Sequence, residues 1–299
     1  MNYVNRFLPR TLVFTVLALF AFAANSVLCR LALGDGSIDA GSFTVIRLLS
    51  GIVVLVVLVG FSGKDNTGSA KGSWLASFML FVYAAAFSFA YNTLATGTGA
   101  LILFASVQIT MVLLAFMSGQ RFGLIEGFGL SLAFAGLVYL VLPRVSTPSF
   151  LGFVLMAIAG IAWGAYSYLG RASKQALKDT AGNFIKTLPF VAILSLATIM
   201  HANYSIKGII LAVLSGAVAS GIGYTLWYMA LGGLTAVQAA VLQLLVPLIA
   251  AVGGVVFVGE KLTWQLVVSA ALILGGILIV IVGNSIIKGK PTALADKND

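Results

Sequence analysis

YNTLATGTGALILFASVQITMVLL, residues 91–114, and YMALGGLTAVQAAVLQLLVPLIAA, residues 228–251, align without a gap and share one order of small residues followed by apolar ones. Thr110 then falls opposite Pro247. After a three-residue gap, Gly119-Gln120-Arg121-Phe122 lies over Gly259-Glu260-Lys261-Leu262, and Ala135-Gly136-Leu137 over Gly275-Gly276-Ile277. Towards the N-terminus, Phe22-Ala23-Ala24-Asn25 and Arg30 match Trp163-Gly164-Ala165-Tyr166 and Arg171. Apolar helices resemble one another, so single matches carry little weight. Order and spacing kept through most of both halves indicate an internal duplication, with halves at 1–146 and 147–299.

Composition fixes the solvent. Of 299 residues, 61% are hydrophobic and 8% charged, and the mean hydropathy is +1.10. A soluble domain carries about 25% charged residues, so this chain has too few to coat a water-facing surface. The expectation is an all-α polytopic membrane protein. Apolar segments run at 11–33, 38–61, 73–92, 97–118, 124–142, 150–171, 182–200, 207–230, 235–258 and 263–286, and their continuous character excludes the alternation of a barrel strand. Arg6, Arg10 and the following apolar run resemble a cleavable signal peptide, but the run continues to Leu33, beyond the length of such a core.

The formal charge of +9 is explained by cationic cytoplasmic loops and implies no nucleic-acid partner. With the N-terminus inside, eleven of the 17 Lys and Arg fall on inner positions, and both termini are expected in the cytoplasm of a bacterial-type inner membrane. Ten spans divide into two sets of five. Five is odd, so the second copy enters the bilayer inverted, the architecture of many secondary transporters around a central cavity. Cys29 is the single cysteine and requires no oxidising compartment.

Two five-helix halves, Trp163-Gly164 in the first helix of a repeat, Arg47 in the second, and Pro247 followed by Gly259-Glu260-Lys261 resemble the EamA-type drug/metabolite transporter superfamily over 11–286. Gly119-Gln120-Arg121 and Thr110 depart from that pattern in the first copy. Within the superfamily the aromatic-rich spans look most similar to the YddG-like aromatic amino-acid exporters. The resemblance implies export of aromatic or apolar amino acids, or related small metabolites, by alternating access. The alternative is a broad-specificity exporter of aromatic cations.

Candidate substrate-binding residues are polar and aromatic groups inside spans, where lipid-facing positions would not tolerate them. Tyr83, Phe87 and Tyr91 recur every fourth residue, and Tyr224, Trp227 and Tyr228 share a face; packing or an interfacial position accounts for Tyr228. Trp163 and Tyr166 lie mid-span, with Gly160 and Gly164 expected to open room before the Trp163 ring. Asn25, Gln108 and Gln243 complete the set, as amides that can meet a carboxylate or bind helices together. Arg47, Pro247 and Glu260 are assigned structural or gating roles.

No acidic residue falls at the centre of a span, and His201 falls in an outer loop, so facilitated diffusion or exchange is expected rather than tight proton coupling. The chain holds no metal-ligand cluster, P-loop or in-membrane Ser–His pair, so no enzyme, cofactor or metal is expected. The expected partners are a small-molecule substrate and the lipid bilayer, and the expected state is a monomer.

Overall fold

The computed structural model describes residues 4–34, 36–61, 72–94, 96–119, 123–141, 150–258 and 264–288. Their regular structure is helical, apart from one isolated antiparallel bridge between Ile38 and Tyr204. Helices α1 (Val4–Leu33), α2 (Ala40–Phe61), α3 (Trp74–Ala90), α4 (Thr96–Met117) and α5 (Leu124–Val141) precede α6 (Phe150–Gly170), α7 (Ala176–Ile185) and α8 (Leu188–Thr198). Then follow α9 (Ile206–Leu214), a π-helical segment (Ser215–Ile222), α10 (Gly223–Leu231), α11 (Ala236–Gln243), α12 (Leu245–Val258) and α13 (Trp264–Lys288).

Every expected apolar segment is helical over its described core, but three are interrupted for local reasons. The segment expected at 182–200 begins earlier, at Ala176, and breaks at Lys186–Thr187. Pro189, in the first turn of α8, has no N–H to return to the Ile185 carbonyl. Pro247 does the same to the Gln243 carbonyl and separates α11 from α12 at Leu244. Its counterpart Thr110 keeps its N–H, and α4 is unbroken. The third interruption is the π segment, whose extra residue per turn re-aims the side chains that follow.

Five helical stretches, Pro9–Leu33, Ala40–Phe61, Phe150–Gly170, Ala176–His201 and Ile206–Leu231, are long and apolar enough to cross a bilayer, and shorter apolar helices accompany them. Large apolar side chains such as Leu12, Phe20, Val53, Ile193, Leu196 and Leu278 lie exposed on the outside, which suits lipid rather than water.

Inside, α6 lies against α3 and α4, α1 against α9, the π segment, α10 and α12, and α5 against α13. Small residues set the last crossing. A Cβ on Gly276 would meet the Gly129 carbonyl at 2.5 Å and Ala133 N at 2.6 Å, and one on Gly136 would meet Leu272 and Ile273. The α1–α2 turn is joined to the α8–α9 turn by Asp39 N–Asn203 O and Ser205 N–Ser37 O bonds of 2.9 and 2.8 Å. Asp39 also caps α2, accepting from Ser42 N through Oδ1 and from Asn203 N through Oδ2, each at 2.9 Å.

Candidate functional site

Arg47 sits in the eighth position of α2 and is 1% exposed. The π segment and α10 bring it its partners. Arg47 Nε donates to Ser220 Oγ at 3.0 Å, and Nη2 donates to the Tyr224 hydroxyl at 2.6 Å and the Tyr83 hydroxyl at 3.4 Å. Its guanidinium carbon lies 5.3 Å from the Tyr83 ring centroid and 5.8 Å from that of Phe87. Nη1 has no hydrogen-bond partner among the described residues. This identifies the partner that sequence alone left open, and it is a set of neutral hydroxyls and ring faces rather than a carboxylate. The π segment approaches closely because residue 216 is glycine: a Cβ there would stand 1.9 Å from the Arg47 carbonyl oxygen.

Next to this group lies a cluster of rings centred on Trp163. Its centroid is 4.6 Å from Tyr224, 4.9 Å from Tyr83, 5.1 Å from Phe22 and 5.5 Å from Tyr166. Trp163 Nε1 donates to Gln243 Oε1 at 2.7 Å, and Gln243 Nε2 reaches the Met111 sulfur and the Ala239 carbonyl. Trp227 Nε1 donates to Ser167 Oγ at 3.1 Å and its ring meets Phe22. Gln243 ends α11, where the Pro247 break lets the chain turn. Pro247, itself buried, thus lies one turn beyond the residue that accepts from Trp163.

A cavity of 420 Å³ enters from one end of the bundle, between the start of α1, the α6–α7 turn and the α10–α11 turn. Arg10, Lys174 and Lys178 stand among its lining, and Tyr228 forms part of its wall. The Tyr228 ring stacks on Tyr166 at 5.0 Å, and Tyr166 stacks on Trp163, so a column of rings runs from the cavity into the cluster. Asn183 of α7 donates to the Tyr228 hydroxyl and accepts from Ser73 N, tying this column to the start of α3.

Of the expected site residues, Trp163, Tyr166, Tyr83, Phe87, Tyr91, Tyr224, Trp227 and Gln243 are brought into this connected, buried set; Tyr91 joins through Phe87 at 4.8 Å. Asn25 is buried and accepts from Ser215 Oγ of the π segment. Gln108 is buried in α4, and its Nε2 has no hydrogen-bond partner among the described residues. Glu260 lies outside the described residues. Gly160 and Gly164 do not open space before Trp163: their missing side chains face α4, where a Cβ would meet the Leu103 carbonyl at 2.5 Å and Thr110 at 2.9 Å. In the interior expected as an open central cavity, the described rings are in contact with one another, and a cavity lies at one end of the bundle.

Sequence reasoning passed over Ser220, Phe184 and Asn183, and set Tyr228 aside as packing. Ser220 is four residues before Tyr224, so a helical-face count from Tyr224 would have found it. Phe184, 6.0 Å from Tyr224, left no such signal.

The profile of the EamA-like transporter family matches residues 150–282. A Pseudomonas aeruginosa protein, described as uncharacterized, is 47% identical over 272 residues, covering 91% of this chain and 94% of its own. The chain belongs to the EamA-like transporter family. This places it in the drug/metabolite transporter superfamily and makes it a multi-pass membrane transporter with a small-molecule substrate. A Salmonella typhimurium protein named a probable amino-acid metabolite efflux pump is 29% identical over 202 residues, 62% of this chain and 68% of its own. A solved crystal structure shares the fold with a TM-score of 0.75 at 19% identity, covering 91% of this chain and 97% of that one.

Proposed function

We propose that this EamA-family transporter exports aromatic or other apolar amino acids, or related small metabolites, across an inner membrane by alternating access between two inverted five-helix halves. The observation that carries the reading is the Trp163 ring cluster, joined through Tyr166 to Tyr228 in the wall of a 420 Å³ cavity. Aromatic walls suit an apolar side chain, and hydroxyl, amide and guanidinium groups beside them suit an amino acid's polar end. The name of the Salmonella relative supports export and an amino-acid metabolite as cargo.

Packing supports the division at 1–146 and 147–299. Phe22 and Trp163, which the alignment sets opposite each other, are in ring contact. The contact of α6 with α3 and α4 has its counterpart in the contact of α1 with α9–α10 and α12. The approach of Gly276 to Ala133 is matched by that of Gly136 to Ile273. Two halves related in this way have nearly equivalent inward- and outward-open packings, so exchange between them is inexpensive. Arg10, Lys174 and Lys178 in the cavity lining support a cytoplasmic position for that end, with both termini on the same side, and the proposed state is a monomer. Facilitated diffusion or exchange, rather than tight proton coupling, suits a cluster whose titratable side chains are tyrosines and an arginine.

Uptake into proteoliposomes with a panel of labelled amino acids and cationic dyes tests this. The expected result is saturable flux and counterflow of aromatic amino acids, unchanged when a pH gradient is dissipated. Flux of dyes alone, or unsaturable flux, would overturn it.

A further inference from the structure

Arg47 poses a physical problem that packing alone leaves unsolved. Its guanidinium is buried at mid-helix, yet its described hydrogen-bond partners are the uncharged Ser220, Tyr83 and Tyr224, and Nη1 has none. Asp39 and Asp179, the acidic residues whose side chains are described, are committed elsewhere. Asp39 caps α2 eight residues earlier, about 12 Å along the axis, and Asp179 accepts from Ser173. A buried charge without a counter-ion is strongly disfavoured, and the bidentate edge of a guanidinium fits a carboxylate better than any other common group.

We infer that Arg47 is the carboxylate-recognition residue of the transport site: the cargo's carboxylate takes the unfilled Nη1 edge while its side chain lies among Trp163, Tyr166 and Tyr224. This rests on the exporter reading and deepens it. The geometry supplies the route. Tyr228 in the cavity wall, then Tyr166, then Tyr224 lead ring by ring to Arg47, with Tyr224 donating its position to both the column and the guanidinium. Movement of that column would open Arg47 to cargo arriving from the cavity. The positive charge also acts by exclusion. An aromatic amine lacking the carboxylate would bring a second cation beside Arg47 with nothing to neutralise either, and Arg10 and Lys174 at the mouth add to the same field. The transporter is therefore selective for carboxylate-bearing cargo and against aromatic cations.

The test uses the full chain in proteoliposomes with three labelled probes of one ring: L-phenylalanine, 3-phenylpropionate and phenethylamine. Wild type is expected to move phenylalanine at least tenfold faster than phenethylamine. Arg47→Gln is expected to lose phenylalanine flux by tenfold or more and to bring the ratio near one, and Arg47→Lys to restore part of the ratio. Should Arg47→Gln fail to fold, thermal unfolding of the wild type decides: phenylalanine and 3-phenylpropionate raise the transition temperature and phenethylamine does not. Equal wild-type flux or equal stabilisation by phenylalanine and phenethylamine, or a folded Arg47→Gln that keeps the ratio, would overturn the assignment and leave the exporter reading intact. Wild type moving none of the three probes would overturn the assignment, and no flux across the wider amino-acid panel would remove the exporter reading as well.

Discussion

Trp163 fills a position where two properties are separable. Its ring packs against Phe22, Tyr83, Tyr166 and Tyr224, and its N–H is taken by Gln243. Removing the whole ring leaves a large void, and Trp163→Ala is expected to cost about 3–5 kcal/mol of stability. Trp163→Phe keeps most of the packing and removes the bond to Gln243. We expect it to lower transport several-fold with an unfolding temperature close to wild type, as measured by flux and thermal unfolding of the same preparation. A residue of purely structural importance would show the opposite pattern. Asp39 offers a second residue-scale prediction. Burial acts to raise its pKa, but hydrogen bonds from Ser42, Asn203 and Gly41 outweigh that and hold the carboxyl below its ordinary value. A depressed folded-state pKa contributes stability that is present above the unfolded-state value, about 4, and is lost as pH falls through the folded one. Thermal stability of the wild type should therefore decline below about pH 4, and Asp39→Asn should show a smaller decline over the same range.

At the scale of elements, close approach depends on which glycines face a neighbour. Gly216 of the π segment touches α2 so closely that a Cβ would overlap the Arg47 carbonyl and lie 2.1 Å from Ser50 Oγ. Neither the carbonyl nor the helix that carries it can yield without separating the two elements. Gly216→Ala is expected to lower the unfolding temperature and to abolish transport, because Ser220 and Tyr224 would move away from Arg47. Gly275 of α13 has nothing within 4 Å of its Cβ position. Gly275→Ala should be neutral or slightly stabilising, since Ala is favoured over Gly by about 1 kcal/mol inside a helix. Thermal unfolding of the pair, beside wild type, checks both. Both glycines read alike in the sequence, and the difference is one of neighbours. Breaks in helices were more legible: Pro189 and Pro247 each withhold one hydrogen bond four residues back, at Ile185 and Gln243. The π segment had no such marker. Ser215 to Ile222 is a run of small and apolar residues that an ordinary helix would also accept, and its register became visible only against α2.

For the whole molecule, the proposed inverted arrangement makes a topological prediction. Asn92, after α3, and Gly232, after α10, are both exposed and would occupy corresponding turns of the proposed halves. On a Cys29→Ser background, Asn92→Cys and Gly232→Cys are expected to react with a membrane-impermeant thiol reagent from opposite faces of right-side-out vesicles. Labelling of both from one face would end the inverted-repeat reading. The hydrogen-bonded turns at Ser37–Asp39 and Asn203–Ser205 supply a consistency check, because both belong to the same face by the alternation of loops.

Membrane class and helix positions were legible in the residues alone, because both follow from additive, local properties: apolar content over some 20 residues, short polar breaks and scarce charge. Most of the ring set was legible as well, since helical spacing places Tyr83 with Phe87 and Tyr224 with Trp227 whatever surrounds them. Partnership was not. That Arg47 meets Ser220, Tyr83 and Tyr224, that Gln243 receives Trp163, that Asn25 holds the π segment, and that Gly160 and Gly164 face α4 all depend on residues 36 to 190 positions away or on another helix's face. In a bilayer nearly every apolar face can satisfy nearly every other. Tertiary packing therefore decides which polar groups meet and where a charge is left open.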